Sequence, residues 1–233
     1  METEKNEDFL IGSLPFKEQW MVGNTPANQI PSHGTTLFGT SYAFDFMAVD
    51  HKNKTAPGKS WQTFFGVEPP ELFYSFGKPV FSPIEGEIVR IHNGEEDHVA
   101  RRSWLRLLPY VLGQSSRIRQ GIQAIAGNYV VIKAKDLNLF IAIVHLQKDS
   151  LIVQEGQAVT EGQHIANCGN SGNSTEPHIH IQAMDHLDFS LAEGIPLFFR
   201  NFTQREKGQT KKRANAFPLS GSIVSPEITT DKQ

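Results

Sequence analysis

The sequence predicts a mainly β fold, an antiparallel β-sandwich or barrel, interrupted by one partly helical insertion. Short apolar runs recur at close spacing and are separated by glycine-containing turns, which is typical of such folds. With 233 residues, 39% of them hydrophobic, the chain is long enough for one large domain or two small ones. We divide it into an N-terminal wrap over 1–30, a β domain over 31–205 and a polar, poorly ordered C-terminal tail over 206–233.

The predicted strands follow one another along the β domain. An aromatic-rich strand comes first, then two short strands around the Glu85-Gly86 turn, a hairpin turning at 135–138, a segment with two Glu-Gly turns, and a last strand near a Gly-Ile-Pro turn. These elements occupy residues 41–49, 78–91, 128–145, 153–166 and 187–199.

Residues 92–126 are predicted to be an insertion between two strands. Within it, the apolar and basic stretch 104–112 is more helical than strand-like, and Pro109 would start or kink a helix there. Long insertions in compact domains are often functional, so this one is either a structural flap or a wall or lid over a substrate groove.

Composition excludes several classes of protein. A net charge of −3 gives no indication of nucleic-acid binding, and the longest apolar run, 139–146, is too short to span a membrane. The single cysteine, Cys168, excludes an internal disulfide framework and a thiolate-rich metal site. Residues 1–8 lack the features of a secretion signal, which predicts a cytoplasmic location and leaves non-classical export to the cell wall open. The oligomeric state is unknown, since the sequence contains no heptads.

The segment 176–182 carries the strongest chemical signal. His178 and His180 lie two residues apart in an apolar run that predicts a strand, so their side chains are expected on the same face. Paired imidazoles suit a metal ion or a proton-transfer site better than an apolar core, because each buried nitrogen needs a partner.

Asp45 is the second unusual residue. In the predicted strand 41–49 it shares a face with Ala43, Met47 and Val49, and a carboxylate among apolar neighbours is costly unless it is paired or binds a metal. Together with His33 and His145, these residues are enough to complete a zinc site.

The order His33, Asp45, His145, His178-Ile179-His180 resembles the lysostaphin-like zinc endopeptidases, which cut peptides of the bacterial cell wall. The resemblance spans roughly residues 30–200. It is carried by the segments 32–34 with 42–46, 77–86, 143–146, 156–165 and 169–180.

The resemblance implies a barrel-sandwich hybrid fold with a duplicated motif, a Zn²⁺ cofactor and a peptidoglycan substrate. Carried over by position, His33, Asp45 and His180 would be the metal ligands, and His145 and His178 the catalytic histidines. Three protein ligands plus water is the open arrangement of a catalytic zinc, which lowers the pKa of its water to about 7. The bond that is cleaved, in a cross-link or in a stem peptide, is not specified.

Two features depart from the family pattern. Eleven residues separate His33 from Asp45, where the family usually has three, and Glu176 precedes the Pro-His-Ile-His motif, where the family often has glycine. Two other classes of function stay open: a non-catalytic relative that binds cell wall or a partner protein, and a histidine phosphocarrier-like module of similar fold. Retention of all five site positions favours hydrolysis over the first, and the Asp45 ligand with the His-x-His motif favours it over the second.

Overall fold

The computed structural model describes residues 8–58, 63, 66–103, 105, 119 and 121–227. The described residues include fifteen strands, the short α-helix α1 (Ile122–Ala126), and 3₁₀ segments at Leu37–Tyr42 and Pro70–Leu72. The strands are β1 (Leu10–Gly12), β2 (Trp20–Val22), β3 (Phe44–Ala48), β4 (Pro79–Phe81), β5 (Gly86–His92), β6 (Asn128–Ala134), β7 (Phe140–Leu146), β8 (Ala158–Val159), β9 (His164–Asn167), β10 (Ile179–Met184), β11 (Gly194–Ile195), β12 (Leu197–Phe199), β13 (Phe202–Glu206), β14 (Gln209–Arg213) and β15 (Ile223–Pro226).

Most of these strands belong to one large antiparallel sheet. Its order is β14-β13-β15-β2-β3-β10-β7-β6-β5-β8, and β11 adds to the end of β10. Two small sheets complete the described architecture, the parallel pair β1-β12 and the antiparallel pair β4-β9. The predicted mainly β, antiparallel fold is confirmed.

The main core lies on one face of the central strands β3, β10 and β7. Phe44, Phe46, Ile179, Ile181 and Ile143 are fully buried there. Because side chains alternate along a strand, the residues between them face the opposite side of the sheet. That second face carries a smaller apolar cluster as well as polar side chains.

The predicted hairpin is confirmed, and so are the two short strands predicted around the Glu85-Gly86 turn. β6 and β7 pair as expected. β4 and β5 form where the two strands were predicted, but they do not pair with each other: β4 pairs with β9, and β5 with β6 and β8. The turn redirects the chain between two sheets, which a local sequence pattern does not reveal.

The two ends of the described chain differ from the prediction. Trp20, in β2, is 1% exposed and pairs with β3, so residues 20–22 are part of the main sheet and not an outer wrap. Residues 209–226 are not a poorly ordered tail, because β15 lies between β13 and β2 and buries Val224 completely. The lysine-rich segment that suggested disorder is the edge strand β14, where charged side chains protect an exposed sheet edge.

A core substitution in β15 tests this correction. We expect Val224→Ala to lower the free energy of unfolding by about 2 kcal/mol, because two buried methyl groups are lost and a cavity remains. Chemical denaturation measures the change. The control Thr210→Ala, on the exposed strand β14, should change stability by less than about 0.5 kcal/mol. Equal stability of both variants and the wild type would contradict the placement of β15.

Only part of the predicted insertion can be compared with the structure. α1 lies at its end, whereas the predicted helical stretch 104–112 falls, apart from Leu105, outside the described residues. In the described ranges, no helix has the length and apolarity to cross a membrane.

Candidate active site

The five predicted site residues meet at one end of the central strands, on the face opposite the main core. His180 in β10 lies directly opposite Asp45 in β3, and His178 immediately precedes β10. Two groups of potential ligand atoms result, His33 with Asp45 and His180, and His145 with His178 and His180. Within each group the ligand atoms lie within 4.8 Å of one another.

Asp45 is the centre of the cluster. Its Oδ2 lies 3.0 Å from His33 Nε2 and accepts a hydrogen bond from Asn24 Nδ2 at 2.7 Å. Its Oδ1 lies 3.0 Å from His180 Nδ1 and 3.5 Å from His178 Nε2. Burial raises the pKa of Asp45, but the neighbouring histidines overcome this and hold that pKa well below its usual range. Asp45 is therefore a carboxylate surrounded by imidazoles.

The tautomer of neutral His33 follows from its contact with Ser32. The Ser32 hydroxyl donates to Thr40 O at 3.2 Å, so its oxygen accepts from His33 Nδ1, 2.9 Å away. Because Nδ1 carries that hydrogen, a neutral His33 presents the lone pair of Nε2 to Asp45.

Gln182 fixes the opposite tautomer in His180, with the hydrogen on Nε2. The amide nitrogen of Gln182 donates to Phe38 O at 2.6 Å, which leaves its Oε1 to accept from His180 Nε2 at 3.0 Å. A neutral His180 therefore presents the lone pair of Nδ1 to the same carboxylate. Gln182 is only 2% exposed, so this orientation is held by a buried contact.

These orientations test whether the residues fit a metal ion. Two imidazole lone pairs would face one carboxylate at 3.0 Å, which is repulsive unless a cation lies between the groups. Two protons satisfy the arrangement when both histidines are imidazolium, and a single divalent ion satisfies it when they are neutral. Two imidazole nitrogens and one carboxylate match the donor types that zinc accepts, so the cluster fits Zn²⁺.

The long spacing between His33 and Asp45 does not separate them. Residues 34–43 form a compact loop that returns on itself, with Ser32 N donating to Ser41 O at 3.0 Å. At Gly39 the loop has a φ of +74° and packs so closely that an added Cβ would lie 2.9 Å from Met184. The loop also forms one wall of the cleft in front of the cluster.

His145 reaches the cluster through a bulge. In regular alternation it would face away from His180, because His180 pairs with the neighbouring Val144. The β6-β7 register shifts between Asn128 and Val130, and His145 adopts a φ of +60°, which is unfavourable for a residue other than glycine. The bulge brings the centroid of the His145 ring to 4.9 Å from that of the His178 ring. A strained backbone conformation therefore positions this histidine in the site.

His145 and His178 share one tautomer, with the hydrogen on Nδ1. His145 Nδ1 donates to Ser171 O at 2.9 Å, and His178 Nδ1 donates to Glu176 O at 2.7 Å. In the neutral form, each ring therefore keeps a lone pair on Nε2. Burial, followed by the nearby His178 and His180, holds the pKa of His145 well below its usual range, so its imidazole stays neutral near pH 7.

An open cleft of about 480 Å³ lies over the cluster. The loop after His33 forms one side and α1 with residues 173–175 the other. Besides the five site residues, the lining consists of Asn24, Gly34, Thr35, Leu37, Phe38, Thr40, Ile125, Asn173 and Thr175.

The structure adds residues that the sequence did not single out. Ser32, Gln182, Ser171 and Ser174 hold the rings of the site in place. Their only signal in the sequence is position, since each lies within two residues of a site residue or in the glycine-rich run before His178.

A comparison with known families supports the class of protein that this site indicates. Residues 113–189, about a third of the chain, match the model of peptidase family M23. The predicted resemblance to the lysostaphin-like zinc metallopeptidases is therefore confirmed. The matched segment includes His145, His178 and His180, whereas His33 and Asp45 lie upstream of it.

Two curated relatives come from Vibrio cholerae. Peptidoglycan DD-endopeptidase ShyB is 28% identical over 144 residues, covering 60% of this chain and 32% of the relative. Peptidoglycan DD-endopeptidase ShyA is 42% identical over 57 residues, covering 24% of this chain and 13% of the relative. The matches thus span a third or less of the length of these relatives.

Among solved structures, the catalytic domain of lysostaphin from Staphylococcus simulans aligns with 18% identity and a TM-score of 0.39. The alignment covers 76% of this chain and 88% of that domain.

Proposed function

We propose that this chain is a zinc-dependent endopeptidase that hydrolyses peptide bonds in peptidoglycan. The observation that carries the proposal is the convergence of His33 Nε2, His180 Nδ1 and the Asp45 carboxylate beside two histidines of fixed orientation. In this assignment His33, Asp45 and His180 hold the metal, and His145 and His178 are catalytic.

The charge of the ligand set favours this assignment over the all-histidine group. Asp45 supplies a negative charge that partly neutralises a divalent ion, whereas the neutral imidazoles of His145, His178 and His180 supply none. The two groups share His180. An ion bound by His145, His178 and His180 would occupy both of the other histidines, which would then not be available for proton transfer.

The remaining chemistry belongs to His145 and His178. A bound Zn²⁺ would supply a Lewis acid that polarises the scissile carbonyl and acidifies a water molecule. The Nε2 lone pair of either histidine can take the proton of the attacking water. This proton then passes to the leaving nitrogen as the C–N bond breaks, and the second proton of the water follows to the same nitrogen, which gives one carboxylate and one protonated amine.

The shape of the site and the comparisons both support peptidoglycan as the substrate. The cleft is open, which suits an extended polymer better than an enclosed small molecule. Both curated relatives are named peptidoglycan DD-endopeptidases, which favours a cross-link between peptide stems as the bond cleaved.

Digestion of isolated peptidoglycan tests the proposal. We expect the zinc-loaded protein to release soluble cross-link fragments and new free amino groups, and a chelator to stop the release until zinc is returned. The measurement is chromatography of the fragments with amine quantification. A folded, zinc-loaded protein that binds the polymer without cutting it would instead support the non-catalytic relative. Phosphorylation on a histidine by a phosphodonor protein, without hydrolysis, would support the phosphocarrier.

A further inference from the structure

We propose that Asp97 and His98, at the start of the insertion, are positioning residues that hold both catalytic histidines in their working orientation. They act through residues 169–176, which we call the orienting loop. The inference rests on the proposed function, and it assigns to the described beginning of the insertion a role in the site itself.

The orienting loop sets both rings through its backbone. Ser171 O accepts from His145 Nδ1 at 2.9 Å, and Glu176 O accepts from His178 Nδ1 at 2.7 Å. The hydroxyl of Ser174 lies 3.1 Å from the same nitrogen of His178. A displacement of this loop would therefore rotate the two imidazoles away from the cleft.

Asp97 ties the orienting loop to the end of β7. Its Oδ1 accepts from Asn170 N at 2.6 Å, and its Oδ2 accepts from Lys148 N at 3.0 Å. One side chain thereby links the strand that carries His145 to the loop that orients it. Burial raises the pKa of Asp97, so the ionised carboxylate is kept at this position at an energetic cost.

The contact between these backbones leaves no room for a side chain at Gly169. A Cβ there would lie 2.4 Å from the backbone of Gln147 and 2.5 Å from Asp97 Oδ1. The orienting loop, the residues after β7 and the Asp97 carboxylate are thus packed tightly together, and Asp97 bonds to both backbone segments.

His98 holds the residues on both sides of Ser171. Its backbone N donates to Asn170 O at 3.2 Å, its carbonyl accepts from Asn170 Nδ2 at 2.5 Å, and its Nε2 donates to Gly172 O at 2.7 Å. These bonds hold Asn170 and Gly172, and the carbonyl of Ser171 between these two residues points towards His145.

The same segment also holds the part of the loop nearest His178. Arg101 N donates to Thr175 O at 2.8 Å, between Ser174 and Glu176. Neither Asp97 nor His98 is among the described residues that line the cleft, so their effect on the reaction passes through the loop.

The test combines kinetics with a direct measurement of the rings. In Asp97→Asn one backbone N–H loses its carboxylate acceptor, and in His98→Ala the bond to Gly172 is lost. We expect kcat on a soluble cross-linked peptide to fall 10- to 100-fold, with KM and zinc content within twofold of the wild type, since such outer contacts tune orientation. His98→Gln, whose amide can still donate towards Gly172, should recover part of the lost kcat.

Nitrogen-15 NMR of the imidazoles supplies the readout that does not depend on activity. The Nδ1–H signals of His145 and His178 should be sharp in the wild type and broadened or lost in Asp97→Asn and His98→Ala. The control Glu96→Gln changes an exposed neighbour that pairs with the Lys148 side chain, and should alter neither kcat nor the signals.

The outcomes separate the two proposals. Unchanged kcat and unchanged ring signals in both variants would overturn the positioning role, as would a loss of zinc in proportion to the loss of activity. If Asp97→Asn does not fold, His98→Ala and His98→Gln decide the question. If the wild type proves not to be a peptidase, ring signals that depend on Asp97 and His98 still support the positioning role.

Discussion

Replacement of His180 by alanine is expected to abolish tight zinc binding and to reduce peptide hydrolysis by a factor of at least about 10³, or about 4 kcal/mol in activation free energy. His180 Nδ1 and His33 Nε2 both face the Asp45 carboxylate at 3.0 Å. In the proposed site, the loss of either ring would leave the ion with two protein ligands. Elemental analysis after dialysis against a weak chelator measures the zinc, and peptide hydrolysis is followed on the same samples.

Two further variants decide which group of residues holds the ion. His33 belongs only to the group with Asp45, and His145 belongs only to the all-histidine group. The variants are His33→Ala and His145→Ala. We expect His33→Ala to lose zinc and His145→Ala to keep about one ion per chain. The reverse result would place the ion among His145, His178 and His180 and would overturn the assignment of Asp45 as a ligand.

Asp45→Asn separates the charge of the carboxylate from its shape. The amide keeps the size of the side chain but carries no negative charge, so zinc affinity should fall although the fold is retained. If the metal site depended on the imidazoles alone, this variant would bind zinc as tightly as the wild type.

The sequence identified the site through the cost of burying polar groups. A carboxylate at 45 and imidazoles at 178 and 180, all within apolar runs, have no inexpensive place in an apolar core. Alternation along the strands then put His178 and His180 on one face, and the structure places both rings against Asp45. Local pattern and elementary energetics were sufficient for this part of the site.

The position of His145 could not be derived in the same way. Simple alternation from Val144 places its ring in the main core, and only the bulge with its positive φ brings it to the site. Bulges depend on the register between two strands that are distant in sequence, so no local pattern predicts this one. The resemblance to a known family supplied the residue, and the geometry explains how it reaches its place.

The contacts that hold the site residues in place could not be predicted from the sequence either. Gln182 and His98 act through backbone carbonyls of Phe38 and Gly172, which lie 144 and 74 residues away along the chain. A carbonyl is common to every residue, so neither partner leaves a trace in the sequence. The strands of residues 209–226 were missed for a related reason, because the lysines that protect a sheet edge resemble those of a disordered tail.

His178→Ala is expected to lower kcat by about 10²- to 10⁴-fold, the usual contribution of a positioned proton-transfer group, and to leave zinc content unchanged. His178 Nδ1 donates to Glu176 O, and His178 Nε2 lies 3.5 Å from Asp45 Oδ1. In the proposed site, His178 is not a ligand of the ion. Steady-state kinetics and elemental analysis of the same preparation separate the two effects. His186→Ala, which changes an exposed histidine that does not line the cleft, is the matched control and should behave as the wild type.

Added imidazole sharpens the interpretation of this variant. A cavity left by the ring can admit the free base, and partial recovery of kcat would show that the missing group transfers a proton and does more than support the fold. His145→Ala should respond less, because its ring sits at a strained bulge whose backbone is free to relax once the contact with Ser171 is gone. A His178→Ala variant that keeps its activity within threefold would remove His178 from the catalytic pair and leave His145 as the one proton carrier of the site.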